Sequence, residues 1–165
     1  WEATVALPRG ATELERVADV IGAPLIAGPR VCAAAYQGRV ACFDRASGAP
    51  IWARDASTHV GAAADDLGVY HIDAADAVSR HDLDSGRADW RQDKLAHRKL
   101  SPPLAFDRWV VVGDAEGYVH VLSREDGSLV ARARASGPIV AAPLDIGPGF
   151  AVQTVKGDVH AYRIH

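Results

Sequence analysis

Residues Gly38–Trp52 read GRVACFDRASGAPIW, and residues Asp76–Trp90 read DAVSRHDLDSGRADW. Val, Asp, Ser, Gly and Trp fall at matching offsets, so D-x-x-S-G-x-x-x-W is written twice. A third copy, GYVHVLSREDGSLVA, runs from Gly117 to Ala131, and a fourth, GDVHAYRIH, from Gly157 to His165. A second marker keeps the same phase. Pro24-Leu25, Pro103-Leu104 and Pro143-Leu144 each precede Gly38, Gly117 and Gly157 by 14 residues, and Ala62-Ala63 takes that place before Asp76. A period of 38 to 41 residues constrains the fold more than any other feature, because a repeat of this size is one supersecondary unit that buries its faces only against its neighbours.

Each unit reads as four short β-strands. In the third unit these are PPLAF, RWVVVGD, YVHVLS and SLVAR, apolar runs broken by turn residues. No stretch carries convincing helical periodicity; TELERVADV is the best candidate and lies between units. Four-stranded units at this period predict an all-β fold, a β-propeller segment of about four antiparallel blades. The expected divisions are 1–7 (outer strand of a preceding blade), 23–55, 60–93, 102–134, and 138–165, the last lacking its outer strand.

The recurring residues have physical roles. Gly38, Gly117 and Gly157 supply positive φ at the middle turn, and Asp76 tolerates it. Asp44 and Asp82 cap the following turn, which Gly48, Gly86 and Gly127 close. Trp52 and Trp90 are flat anchors that fill the gap between neighbouring sheets. A two-residue turn at Gln37-Gly38 sets Cys32 opposite Phe43 and Cys42 opposite Ala33, so the only two cysteines are expected to be buried free thiols on opposite faces rather than a disulfide, a register that a bulge at Gly38 would shift. The same reasoning sends His71 and His81 to opposite faces of the second blade.

The net charge of −3 offers nothing for nucleic acid to bind, and no apolar run is long enough to span a bilayer. A chain that opens on Trp1 and contains no methionine is expected to be a portion of a longer one.

The D-x-x-S-G-x-x-x-W pattern resembles pyrroloquinoline-quinone-type propeller repeats. GATELERVADV (Gly10 to Val20), AYQGRVACFDRASGAPIW (Ala35 to Trp52), LAHRKLSPPL (Leu95 to Leu104) and VVVGDAEGYVHVLSREDGSLVAR (Val110 to Arg132), in that order, resemble the outer-membrane protein assembly factor B (BamB) family. The resemblance covers essentially the whole chain and corresponds to the C-terminal half of the family. It implies half of an eight-bladed propeller in a periplasmic lipoprotein of a Gram-negative bacterium, held to the outer membrane by an N-terminal lipid anchor absent here. It further implies a non-catalytic scaffold of the β-barrel assembly machinery, with the POTRA domains of BamA and other subunits as partners. The family's partner-binding acidic loop follows TELER; Asp19 matches its first acid, and Ile21 stands at its second.

An enzymatic alternative is a fragment of a quinone-dependent oxidoreductase. A vicinal cysteine pair is absent, and DLDSG (Asp82 to Gly86) lacks the later ligands of a calcium loop, so turn capping is the better account. A generic ligand-binding periplasmic propeller is the other alternative. No catalytic residue, metal site or cofactor is expected. His97 and Arg98, with Lys94 and Lys99 nearby, form the loop most open to two readings. It is either a solvated inter-blade loop with Arg98 paired to a local Asp, or a rim contact with a partner. Trp1–Leu7 aligns with the outer strands, and the fourth unit ends before its own, so two copies of this segment could close a ring by strand exchange.

Overall fold

The computed structural model describes residues 1–5, 19–36 and 38–164. TELER (12–16), Ala6-Leu7, Gln37 and His165 lie outside the described residues.

Apolar residues at consecutive positions, as in Trp109–Val112, require a strand buried on both faces, and the blades meet that need by stacking. The first blade comprises β1 (Asp19–Val20), β2 (Leu25–Ala27), β3 (Arg30–Tyr36), β4 (Arg39–Asp44) and β5 (Pro50–Asp55). The second comprises β6 (Ala62–Ala64), β7 (Gly68–Ile72), β8 (Val78–Asp82) and β9 (Ala88–Gln92). The third comprises β10 (Leu104–Phe106), β11 (Trp109–Gly113), β12 (Tyr118–Ser123) and β13 (Leu129–Arg134). The fourth comprises β14 (Leu144–Asp145), β15 (Phe150–Gln153) and β16 (Val159–Tyr162). Each sheet is antiparallel and follows chain order, except that β1 and β2 both pair with β3. These sheets are a partial β-propeller.

Alternation divides each sheet between two interfaces. Val110, Val112 and Leu122 pack with Tyr70 and Ile72 of the second blade and with Leu95 of the following loop. Val111, Val119 and Val121 pack with Phe150 and Val152 of the fourth. Between the first two blades lie Val40, Cys42, Trp52, Val69 and Leu83.

The middle turns overturn two expectations. Ala34 pairs with Val40, Ile72 with Val78, Gly113 with Val119 and Gln153 with Val159, so five residues separate the paired positions in every blade. Asp76, Gly117 and Gly157 take φ of 63°, 84° and 90°. Each N–H donates back three residues, to Asp73, Asp114 and Thr154. The positive-φ residue is thus an extra residue in the loop, a G1-type bulge, rather than half of a two-residue turn. One additional residue moves every pairing by one and reverses which side chains share a face. Cys32 therefore lies opposite Cys42, and the two form a disulfide rather than standing free. For the same reason His71 and His81 share a face instead of opposing ones.

The tryptophans are staples between blades. The indole N–H of Trp52 donates to the Leu83 carbonyl at 2.9 Å, that of Trp90 to Arg124 at 3.0 Å, and that of Trp1 to Arg45 at 3.0 Å. A Cβ added at Gly48, Gly86 or Gly127 would sit 2.5 Å from the ring of Trp1, Trp52 or Trp90, so glycine at the turn is what lets the indole lie down. Trp52 is buried and Trp90 partly so, each removing on the order of 150–250 Å² from water, whereas Trp1 is 62% exposed and seals less. In the third blade Ala131 occupies the position of Trp52 and Trp90. Aromatic packing of Phe106 and Tyr162 on Phe150 fills that interface instead.

Candidate functional site

The turns β3–β4, β7–β8, β11–β12 and β15–β16 project from one face of the blades. The inter-blade segments start at the same face, because Gln92 at the end of β9 pairs with Val78 beside the β7–β8 turn. Asp19 pairs with Tyr36 beside the β3–β4 turn. Asp19, His97 and Arg98 are thereby brought to one face, although they come from different blades. Asp19 and His97 are exposed, and Arg98 is partly buried.

The loop bearing His97 and Arg98 is tightly held. Asp76 is buried, and its carboxylate accepts the backbone N–H groups of Lys99 at 2.8 Å and Leu100 at 3.0 Å. An aspartate at this bulge therefore does what the glycines of the third and fourth blades cannot. His97 and Lys99 take φ of 63° and 54°, positions that such anchoring sustains. The Arg98 carbonyl accepts from Ala115 N–H.

The Arg98 side chain turns inward. Its Nε donates to Asp114 Oδ2 at 2.6 Å, and its Nη2 to Glu116 at 2.9 Å. Asp114 is fully buried and also accepts from His120 Nε2 at 2.8 Å and from the N–H groups of Glu116 and Tyr118. Burial pushes the Asp114 carboxyl upward, but the His120, Tyr118 and Arg98 donors outweigh it and hold the group below the usual carboxylate range. Burial lowers the His120 imidazole. The pairing of Arg98 with a nearby Asp is as one of its two sequence readings has it. The Asp114–His120 link is a local consequence of the β11–β12 turn, and its signal in the sequence is the D-A-E-G-Y-V-H spacing.

The turn caps also form. Asp44 accepts from the N–H groups of Ala46 and Ser47 and from the Ser47 hydroxyl, which holds its carboxyl low. Asp82 does the same with Ser85. Among the described residues no group of three or more His, Cys, Asp or Glu side chains could hold a metal ion. The arrangement presents rigid loops on one face of a stapled scaffold, suited to recognition of a partner.

Comparison with known proteins identifies the family. The family model described as outer membrane protein assembly factor BamB matches residues 1–92 and again 74–165. The BamB of Bordetella pertussis is 50% identical over 165 residues, covering 99% of this chain. That of Burkholderia pseudomallei is 43% identical over 164 residues, with the same coverage. The chain spans 43% of the length of each of these relatives. The crystal structure of BamB from Moraxella catarrhalis superposes with a TM-score of 0.91 at 25% identity, covering 99% of this chain and 49% of that one. The chain belongs to the outer membrane protein assembly factor BamB family.

Proposed function

We propose that this chain is part of a non-catalytic scaffold of the β-barrel assembly machinery, at the periplasmic face of the outer membrane, that docks on the POTRA domains of BamA. The observation that carries the reading is the family match along the entire chain, joined to a face of anchored loops. The Cys32–Cys42 disulfide supports an oxidising compartment such as the periplasm. Anchoring through an N-terminal lipid is part of the same reading.

Asp19, His97 and Arg98 are the proposed contact residues. Asp19 and His97 would meet the partner directly, and Arg98 would hold the loop through Asp114. Titration of the intact protein against the soluble POTRA array tests this. Saturable binding weakened by Asp19→Arg or His97→Glu is expected, and absence of binding by folded protein overturns it. Strand exchange at the free edge of β16, which pairs only with β15 among the described residues, is a proposal for the 165-residue segment by itself. A solution mass of one chain overturns that.

A further inference from the structure

The second and third blades differ in how they treat the same position. In the second, Arg91 lies opposite Ser79; in the third, Arg132 lies opposite His120. Arg91 is neutralised twice, by Asp73 at 3.0 Å and by Asp93 at 3.5 Å. The counterparts of those two acids in the third blade are Asp114 and Arg134. Asp114 is already engaged by Arg98 and His120, and Arg134 adds a cation where Asp93 has a carboxylate. Among the described residues no ion pair reaches Arg132, Arg134 or Lys94, although the chain as a whole is acidic.

The cations converge on Tyr118. The guanidinium carbons of Arg132, Arg134 and Arg98 lie 4.7, 5.3 and 5.5 Å from the centre of its ring. Arg134 Nη1 also donates to the Tyr118 hydroxyl at 3.2 Å. Arg98 is already paired with Asp114 and Glu116, so Arg132 and Arg134 are the two like charges beside the ring that an incoming anion relieves. Beside them is a cleft of about 380 Å³ between the β9–β10 loop and β13, lined by Lys94, Leu95, Arg98, His120, Val130 and Arg132. Leu95 is buried, and Val130 is 47% exposed. Among the described residues no carboxylate lines the cleft.

We infer that this cleft is a docking site for an acidic segment of a partner protein, with a carboxylate bridging Arg132 and Arg134 and a neighbouring apolar side chain against Leu95 and Val130. Guanidinium forks suit carboxylates because two parallel N–H donors match two oxygens. A free inorganic anion would leave the apolar wall unused, and a lipid headgroup in a flat bilayer would not seat in a recess between two blades. The inference goes beyond the scaffold reading. It rests on the third blade and requires no particular partner, so either can fail alone.

The test uses the intact protein and a fluorescein-labelled decapeptide of alternating Asp and Leu. Expected is saturable micromolar binding that weakens steeply with salt and drops about tenfold or more in Arg132→Glu/Arg134→Glu. Both side chains are exposed, so the variant should fold, and its unfolding curve should match the parent's. Replacing every Leu of the peptide by Ser should weaken binding. Reversing its charge with Lys should abolish it. Arg39→Glu, at a partly buried position of the first blade away from the cleft, should leave binding unchanged. No saturable binding, equal binding by the double variant, or an equal response to inorganic phosphate would overturn the site. Preferential binding of phosphatidylglycerol vesicles over the peptide would overturn it in favour of a lipid surface.

Discussion

His71 Nε2 lies 3.1 Å from His81 Nε2, with both rings buried in the second blade. The hydrogen bonds determine the protons. Gly86 carbonyl can only accept, so His81 Nδ1, 3.1 Å away, carries a proton. The His81 Nε2 then accepts from His71 Nε2–H. His71 Nδ1 is left as a buried lone pair with no partner among the described residues.

Acid should therefore unfold this protein through its histidines first. Burial, and secondly the His81 neighbour, push His71 down to about 4; burial lowers His81 as well. The unfolded chain takes up these protons near 6.5, the folded one only lower. Between pH 6.5 and 4 the unfolded state binds more protons, so stability is full above 6.5 and declines as pH falls through that window. The His71 contribution to the loss approaches roughly 3 kcal/mol near pH 4. Urea midpoints at intervals from pH 7.5 to 4 would show the slope, and His71→Gln should flatten it. The carboxylates held low, such as Asp114, lose their contribution in a lower window and so are separable.

Trp52→Ala should cost about 3–5 kcal/mol in urea unfolding, through lost burial and the cavity left between the first two blades. Gly86→Ala should be destabilising too, since its φ is 66° and its new Cβ would meet the indole. The double variant should cost less than the two singles together, because once the indole is gone the methyl has room. Additive costs would refute the staple.

Removing the disulfide by Cys32→Ala with Cys42→Ala should lower stability by about 2–3 kcal/mol, the loop-closure value for ten residues of separation. Dithiothreitol should reproduce the loss in the parent and have no effect on the variant.

Asp76 separates two roles that one side chain fulfils. Asp76→Gly keeps the bulge but loses both bonds to the Lys99 and Leu100 amides, at a cost of about 1.5–3 kcal/mol. Asp76→Ala loses the easy positive φ as well and should cost about 1 kcal/mol more. Amide exchange at Lys99 and Leu100 should accelerate in both variants.

Period, strand character and tryptophan placement were legible in the sequence because they depend on local chemistry repeated in phase. Two runs of D-x-x-S-G-x-x-x-W suffice to show that Asp44 and Asp82 cap turns and that Trp52 and Trp90 face a neighbour. Family motifs carried the identity for the same reason. Register was not legible. Whether Gly117 and Asp76 sit inside a two-residue turn or form a bulge depends on one residue, and that residue decides whether Cys32 meets Cys42 and His71 meets His81. Only the tertiary structure could place Arg98 on Asp114, or leave Arg132 and Arg134 without the acids that satisfy Arg91. Such contacts join strands and loops far apart in the chain, and their energy is set by what the neighbouring blade has already used.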